Sequence, residues 1–101
     1  MANLYLSYNV GSNSSLAGLN QLISLLNPLF VFLQEVSITT EQLMAQVNSD
    51  FLGLCNTNTE LSKPGTAVLW RKGIDVVVVN VLELRLQLVK TGNYGNFVNI
   101  Y

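Results

Sequence analysis

The stretch Asn27-Pro28-Leu29-Phe30-Val31-Phe32-Leu33-Gln34-Glu35 decides the fold. Its apolar run at residues 29–33 is too short for a helix and shows no polar alternation, so it reads as a strand buried on both faces. Asn27-Pro28 closes off what precedes it, because the residue before a proline is pushed out of the helical region. Glu35 follows the apolar run and is the first charged residue of the chain.

Upstream, residues 4–9 alternate, with Leu4, Leu6 and Tyr8 on one face and Tyr5, Ser7 and Asn9 on the other, and read as a strand. The polar cluster 11–15 breaks it, and Ser14 or Ser15 is placed to cap a helix carrying Leu16, Leu19, Leu22, Ile23 and Leu26. Strand, helix, strand is therefore the opening unit. If its strands lie parallel in one sheet, both finish at the same edge, which brings Asn9 next to Glu35.

Downstream, Thr39 and Gln42 have the spacing of a capping box, with Leu43 and Val47 as the apolar side of a short second helix. Beyond Asp50 the pattern turns to strands at 51–55, 66–70, 74–80, 82–89 and 97–101, with a loop at 56–65 and turns at Lys72-Gly73 and 92–95. Residues 82–88 alternate cleanly, so one face of that strand is buried and the other wet. The class is α+β, an α/β sandwich with mixed sheets flanked by helices, in a single domain spanning 1–101.

Half of the 101 residues are hydrophobic and 11% are charged, against about 25% charged in an average soluble protein. A chain this short buries a modest fraction of its surface, so either more chain or a partner is expected to cover one face. The net charge of -1 supplies no general attraction for a polyanion. The absence of histidine excludes Ser-His and Cys-His dyads and argues against zinc, and the single cysteine, Cys55, excludes an internal disulfide. Residues 1–34 carry no charge, yet Asn20, Gln21, Ser24 and Asn27-Pro28 interrupt the apolar stretch and no basic residues precede it, so neither a membrane span nor a secretory leader is expected. An intracellular location, nuclear or cytoplasmic, follows as the expectation.

Glu35 has two readings: a solvated residue at the start of a loop, or a ligand for a hydrated magnesium ion, which takes one or two carboxylates plus waters and phosphate oxygens. Asn9 has two as well, starting a turn through its amide or serving Glu35 and a phosphate. Cys55, inside an apolar strand, reads as core. Trp70 with Arg71 and Lys72 reads as half-buried packing, with a nucleic-acid backbone contact as the alternative.

Taken in order, Leu6-Ser7-Tyr8-Asn9-Val10, Asn27-Pro28 with Val31-Phe32-Leu33-Gln34-Glu35, Pro64-Gly65-Thr66-Ala67-Val68-Leu69-Trp70 and Val98-Asn99-Ile100-Tyr101 resemble the endonuclease/exonuclease/phosphatase superfamily. The nearest resemblance is to the apurinic-like endonuclease domain of non-LTR (LINE-type) retrotransposons. It implies a four-layer DNase I-like fold, truncated here to its N-terminal part, and magnesium-dependent cleavage of phosphodiesters, with manganese as a substitute. It makes Glu35 the metal ligand, Asn9 the active-site asparagine beside it at the metal, and Tyr101 the tyrosine that positions the scissile phosphate. DNA, the remainder of the domain and a downstream reverse transcriptase are the implied partners.

The chain departs from the family pattern at Gly11-Ser12-Asn13, where Asn-Gly-Leu is usual, and at Val36-Ser37, where Thr-His is common. It also lacks the Asp-x-Asn and Asp-His motifs that hold the water and orient the site, so the 101 residues alone are expected to show negligible turnover. The alternatives are a phosphatase or exonuclease of the same superfamily, and an inert remnant or interaction module.

Overall fold

The computed structural model describes residues 4–11, 16–58 and 63–101. The element order is β1 (Tyr5–Asn9), α1 (Ala17–Leu26), β2 (Phe30–Val36), α2 (Thr40–Gln46), β3 (Phe51–Asn58), β4 (Lys63–Arg71), β5 (Val76–Asn80), β6 (Leu86–Thr91) and β7 (Asn96–Ile100). The strands form a mixed four-stranded sheet of order β1-β2-β4-β3 and an antiparallel three-stranded sheet of order β5-β6-β7. Strands β1 and β2 are parallel, pairing Tyr5 with Phe30 through to Asn9 with Gln34. The molecule is thus an α+β domain, as the sequence pattern requires.

Helices α1 and α2 cover one face of the four-stranded sheet. Leu16, Leu19, Ile23 and Leu43 pack there on Val31, Leu33, Val36, Phe51 and Leu69. The other face meets the three-stranded sheet, where Phe30, Phe32, Val68 and Val89 form a second core with Trp70 and Phe97 against them. Strand β2 feeds both cores with alternate residues, which is why its sequence is apolar without interruption. Burying a side chain such as Phe30 contributes about 1.5–3 kcal/mol.

Local signals explain the helix ends. Gln42 N–H donates to Thr39 Oγ1 at 3.1 Å and Thr39 N–H donates to Gln42 Oε1 at 2.9 Å, so the capping box forms in full. Helix α1 ends on Asn27 in the left-handed conformation, φ 49°, with its N–H on Ile23 O. Asparagine tolerates that region better than most side chains. Ser14 and Ser15 lie outside the described residues; the residue at the helix N-cap is Leu16, which makes no side-chain cap bond. Of the expected apolar stripe, Leu16, Leu19 and Ile23 are buried, whereas Leu22 is half-buried and Leu26 exposed.

Several strand ends differ from expectation, the one expected at 74–80 starting at Val76. β2 runs on to Val36, β3 to Asn58 and β4 starts at Lys63, so most of the expected 56–65 loop is paired strand. Gly65 permits this, because a Cβ there would lie 2.0 Å from Asn56 O. The strand expected at 82–89 begins only at Leu86. Within β6 the buried residues are Gln87 and Val89, while Leu86 and Leu88 face outward and are half-exposed. A glutamine takes the inward place because hydrogen bonds await it.

Those bonds form a polar seam between the sheets. Asn99 Nδ2 lies 3.1 Å from Leu33 O, 2.9 Å from Ala67 O and 3.3 Å from Gln87 Oε1. Gln87 Nε2 reaches Leu54 O and Asn80 Oδ1, and Asn80 Nδ2 reaches Cys55 O. Gln34 Nε2 joins the seam at Asn99 Oδ1, 3.1 Å, and also meets Ser7 Oγ. Among the described residues no buried side-chain polar atom lacks a partner, which is the condition for such a network to stabilise rather than cost. No helix among them is long and apolar enough to cross a membrane.

Candidate functional site

The parallel pairing of β1 and β2 brings their C-terminal ends together, and Asn9 Nδ2 donates to Glu35 Oε1 at 3.2 Å. Asn9 is exposed and Glu35 half-buried, so the pair lies at the surface of the sheet edge with the carboxylate open to solvent.

Glu35 does not start a loop, which was one of its two readings; it lies near the end of β2, at an irregularity in the strand. The β2–β4 register shifts between Gln34 and Val36, and Glu35 has φ 55°. This bulge fixes the chemistry of the position. Leu33 points at the helices and Gln34 at the other sheet, so strict alternation would send Glu35 into the apolar layer beneath α1 and α2. The extra residue restores Val36 to that layer, where it is buried, and turns the carboxylate toward Asn9.

Tyr101 follows the end of β7. Its hydroxyl donates to Pro64 O at 2.6 Å, and its own N–H donates to Arg85 O at 3.3 Å. The Arg85 guanidinium lies over the ring, 5.1 Å from its centroid, and Arg85 Nε donates to Tyr101 O at 2.6 Å. Loss of hydration pushes the Tyr101 phenol above its ordinary pKa; Arg85 pulls it down, and the negative charges of Glu35 and Glu83 raise it further. Pro64 precedes Gly65, which pairs with Val36, the residue after Glu35. Three chain segments distant in sequence thus meet at one rim of the molecule.

Among the described residues no group of three or more His, Cys, Asp or Glu side chains could enclose a metal ion. One carboxylate with an adjacent amide fits a hydrated magnesium ion, which relies on water and phosphate for most of its ligands, and does not fit zinc. Cys55 is 8% exposed, and burial pushes its thiol up to about 11, the Thr40 hydroxyl opposing the shift. It is a core residue, as read from the sequence. Trp70 and Arg71 are packing residues too. Arg71 binds Pro28 O and Asn27 Oδ1, lies over the Phe51 ring at 4.8 Å and faces Asp50 at 4.0 Å. Those contacts sit at the rim opposite Glu35, which removes Arg71 from any shared site.

Sequence reasoning missed Arg85 and Lys63, which flank Tyr101 in a groove of about 390 Å³. The signal for Arg85 was present in the alternating run 82–88, but a polar residue there reads as the wet face of a strand. A scan against protein-family models finds no match to this chain, and neither does a search of the curated proteins.

Proposed function

We propose that this chain carries part of the active site of a magnesium-dependent phosphodiester-cleaving endonuclease, of the kind that nicks DNA for retrotransposition. The observation that supports the reading best is the Asn9–Glu35 hydrogen bond at the ends of two parallel strands, made possible by a strained bulge at Glu35. Non-glycine residues at positive φ cost on the order of 1–3 kcal/mol and concentrate at functional sites. A solvated loop glutamate needs no such device.

In this reading Glu35 offers one carboxylate oxygen to the ion while Asn9 holds the other, fixing its rotamer. Tyr101 stands beside them with its hydroxyl donating to Pro64 O, and turning that one donor to a phosphate oxygen would position the phosphate. The magnesium ion, when bound, neutralises charge on the phosphate. The fold belongs in this reading to the four-layer DNase I-like type, with the helices, the four-stranded sheet and the three-stranded sheet as three of its layers. The protein works inside the cell on DNA, alongside a reverse transcriptase. The 101 residues contain no histidine and no Asp-x-Asn, so turnover by them alone is negligible.

The test on this chain is paramagnetic. Manganese, added in place of magnesium, is expected to broaden the NMR signals of Asn9, Glu35 and Val36 and to leave them sharp in Glu35→Gln. Equal broadening in that variant removes Glu35 from the metal site. In a protein joining this segment to the missing motifs, plasmid nicking is expected to require magnesium and to collapse in Glu35→Ala.

A second reading, an interaction module, is favoured by one observation. The outer face of the three-stranded sheet exposes Val77, Val79, Val98 and Ile100 together.

A further inference from the structure

Strand β5 lies at an edge of the three-stranded sheet, and its sequence, Val76-Val77-Val78-Val79-Asn80, holds no charge and no proline. Its register against β6 is regular, without a bulge. Charges, prolines and bulges are the devices that keep an edge from pairing with another chain, since its outward N–H and C=O groups template a further strand. β5 has none of them. The edge of β3 on the other sheet is served by side chains instead: Thr40 Oγ1 accepts from Cys55 N–H, and Asn80 Nδ2 donates to Cys55 O.

The ladder bonds show which groups of β5 face outward. Gly92 N–H donates to Asp75 O, while Tyr101 N–H and Thr91 N–H donate to Arg85 O and Gly95 O. Bonded pairs recur at every second residue of an antiparallel ladder, so Val77 and Val79 bond to Lys90 and Leu88 of β6. The main-chain groups of Val76, Val78 and Asn80 therefore point to the open edge. Among the described residues nothing else takes them.

This set of groups is symmetric about Val78 and complements itself. With two copies antiparallel about a two-fold axis there, Val76 meets Asn80 of the other copy and Val78 meets Val78, so each outward donor finds an outward acceptor. Val77 and Val79, now 57% and 38% exposed, become cross-strand neighbours on the outer face. The flanking charges agree with this sense. Asp75 falls opposite Val81, and the end bearing Lys72 comes to the end bearing Glu83, where Arg85 is engaged with Tyr101. A parallel pairing instead sets Lys72 beside Lys72 and Asp75 beside Asp75.

We propose that β5 is a self-pairing edge: a second copy of this chain adds its own β5 antiparallel and joins the two three-stranded sheets into one continuous sheet. The row formed by Val79, Leu88 and Val98 then runs on into Val77 of the other copy. The inference stands independently of the nuclease reading. A strand pair buries less than the roughly 1,600 Å² of a standard interface, so the dimer is weak and forms at micromolar concentration.

The experiment follows amide hydrogen exchange by NMR in the dilute chain and at a concentration where sedimentation velocity shows a dimer. The amides of Val76, Val78 and Asn80 are expected to slow by about tenfold or more on association, and those of Val77 and Val79, already bonded to β6, to change little. Val78→Pro removes the central donor of the edge and spares the β6 ladder. That variant is expected to stay monomeric with the Leu88 and Lys90 amides still protected. A dimer whose Val76 and Val78 amides exchange at the monomer rate puts the contact elsewhere and overturns the proposal. So does a folded Val78→Pro chain that dimerises like the parent, or a parent chain that is monomeric throughout the micromolar range. If Val78→Pro does not fold, the exchange pattern of the parent decides alone.

Discussion

Glu35 sits at φ 55° in a strand whose neighbours are regular. Glycine adopts that conformation without steric cost, so Glu35→Gly is expected to leave the stability to urea unchanged or raise it by up to about 1 kcal/mol. Manganese binding should vanish in the same variant. A loss of more than about 1 kcal/mol means that the carboxylate helps to hold the fold and that the strain argument is wrong. The meeting of Asn9 with Glu35 was legible in the sequence, because two strands with a helix between them run parallel and end together. The bulge was not legible: it exists to reconcile an apolar Val36 with an outward carboxylate, and that conflict shows only once the facing layers are known.

The strand pairings leave a second lesson in β6 and the loop before it. Periodicity in residues 82–88 is real, yet the run divides at Leu86 and the leucines of β6 face away from the inter-sheet core. Hydrogen bonds outbid hydrophobic pattern here, since Gln87 and Asn99 saturate main-chain groups of the facing sheet. Their neighbours Thr66 and Asn56 do the same for the loop. Asn99→Asp is accordingly expected to destabilise the protein by at least about 3 kcal/mol. It replaces a donor by an acceptor facing two carbonyls and brings a charge to a 3% exposed position. Urea denaturation followed by far-UV circular dichroism measures it; a change under 1 kcal/mol means the seam contributes little. No amount of counting apolar residues finds such a seam, because each amide in it reads alone as a surface residue. The capping box of α2 is the opposite case, a local device complete within four residues and legible for that reason.

Across the molecule the apolar surplus noted in the composition has an address. One face of the four-stranded sheet is covered by helices and the other by the three-stranded sheet, while the outer face of the latter carries exposed valine and isoleucine. Val79 and Val98 both lie opposite Leu88 on neighbouring strands, so they form one continuous row. The isolated chain is expected to self-associate through this row at micromolar concentration. Val79→Lys with Val98→Lys should return it to a monomer in sedimentation velocity and shift the melting temperature by only a few degrees. Persistent association of the double variant places the sticky surface elsewhere. At the rim opposite Glu35, Arg71 ties the end of α1, the start of β2 and the start of β3 into one knot. That pole behaves as a foundation, and the loops of the opposite pole can vary without unsettling the sheets beneath.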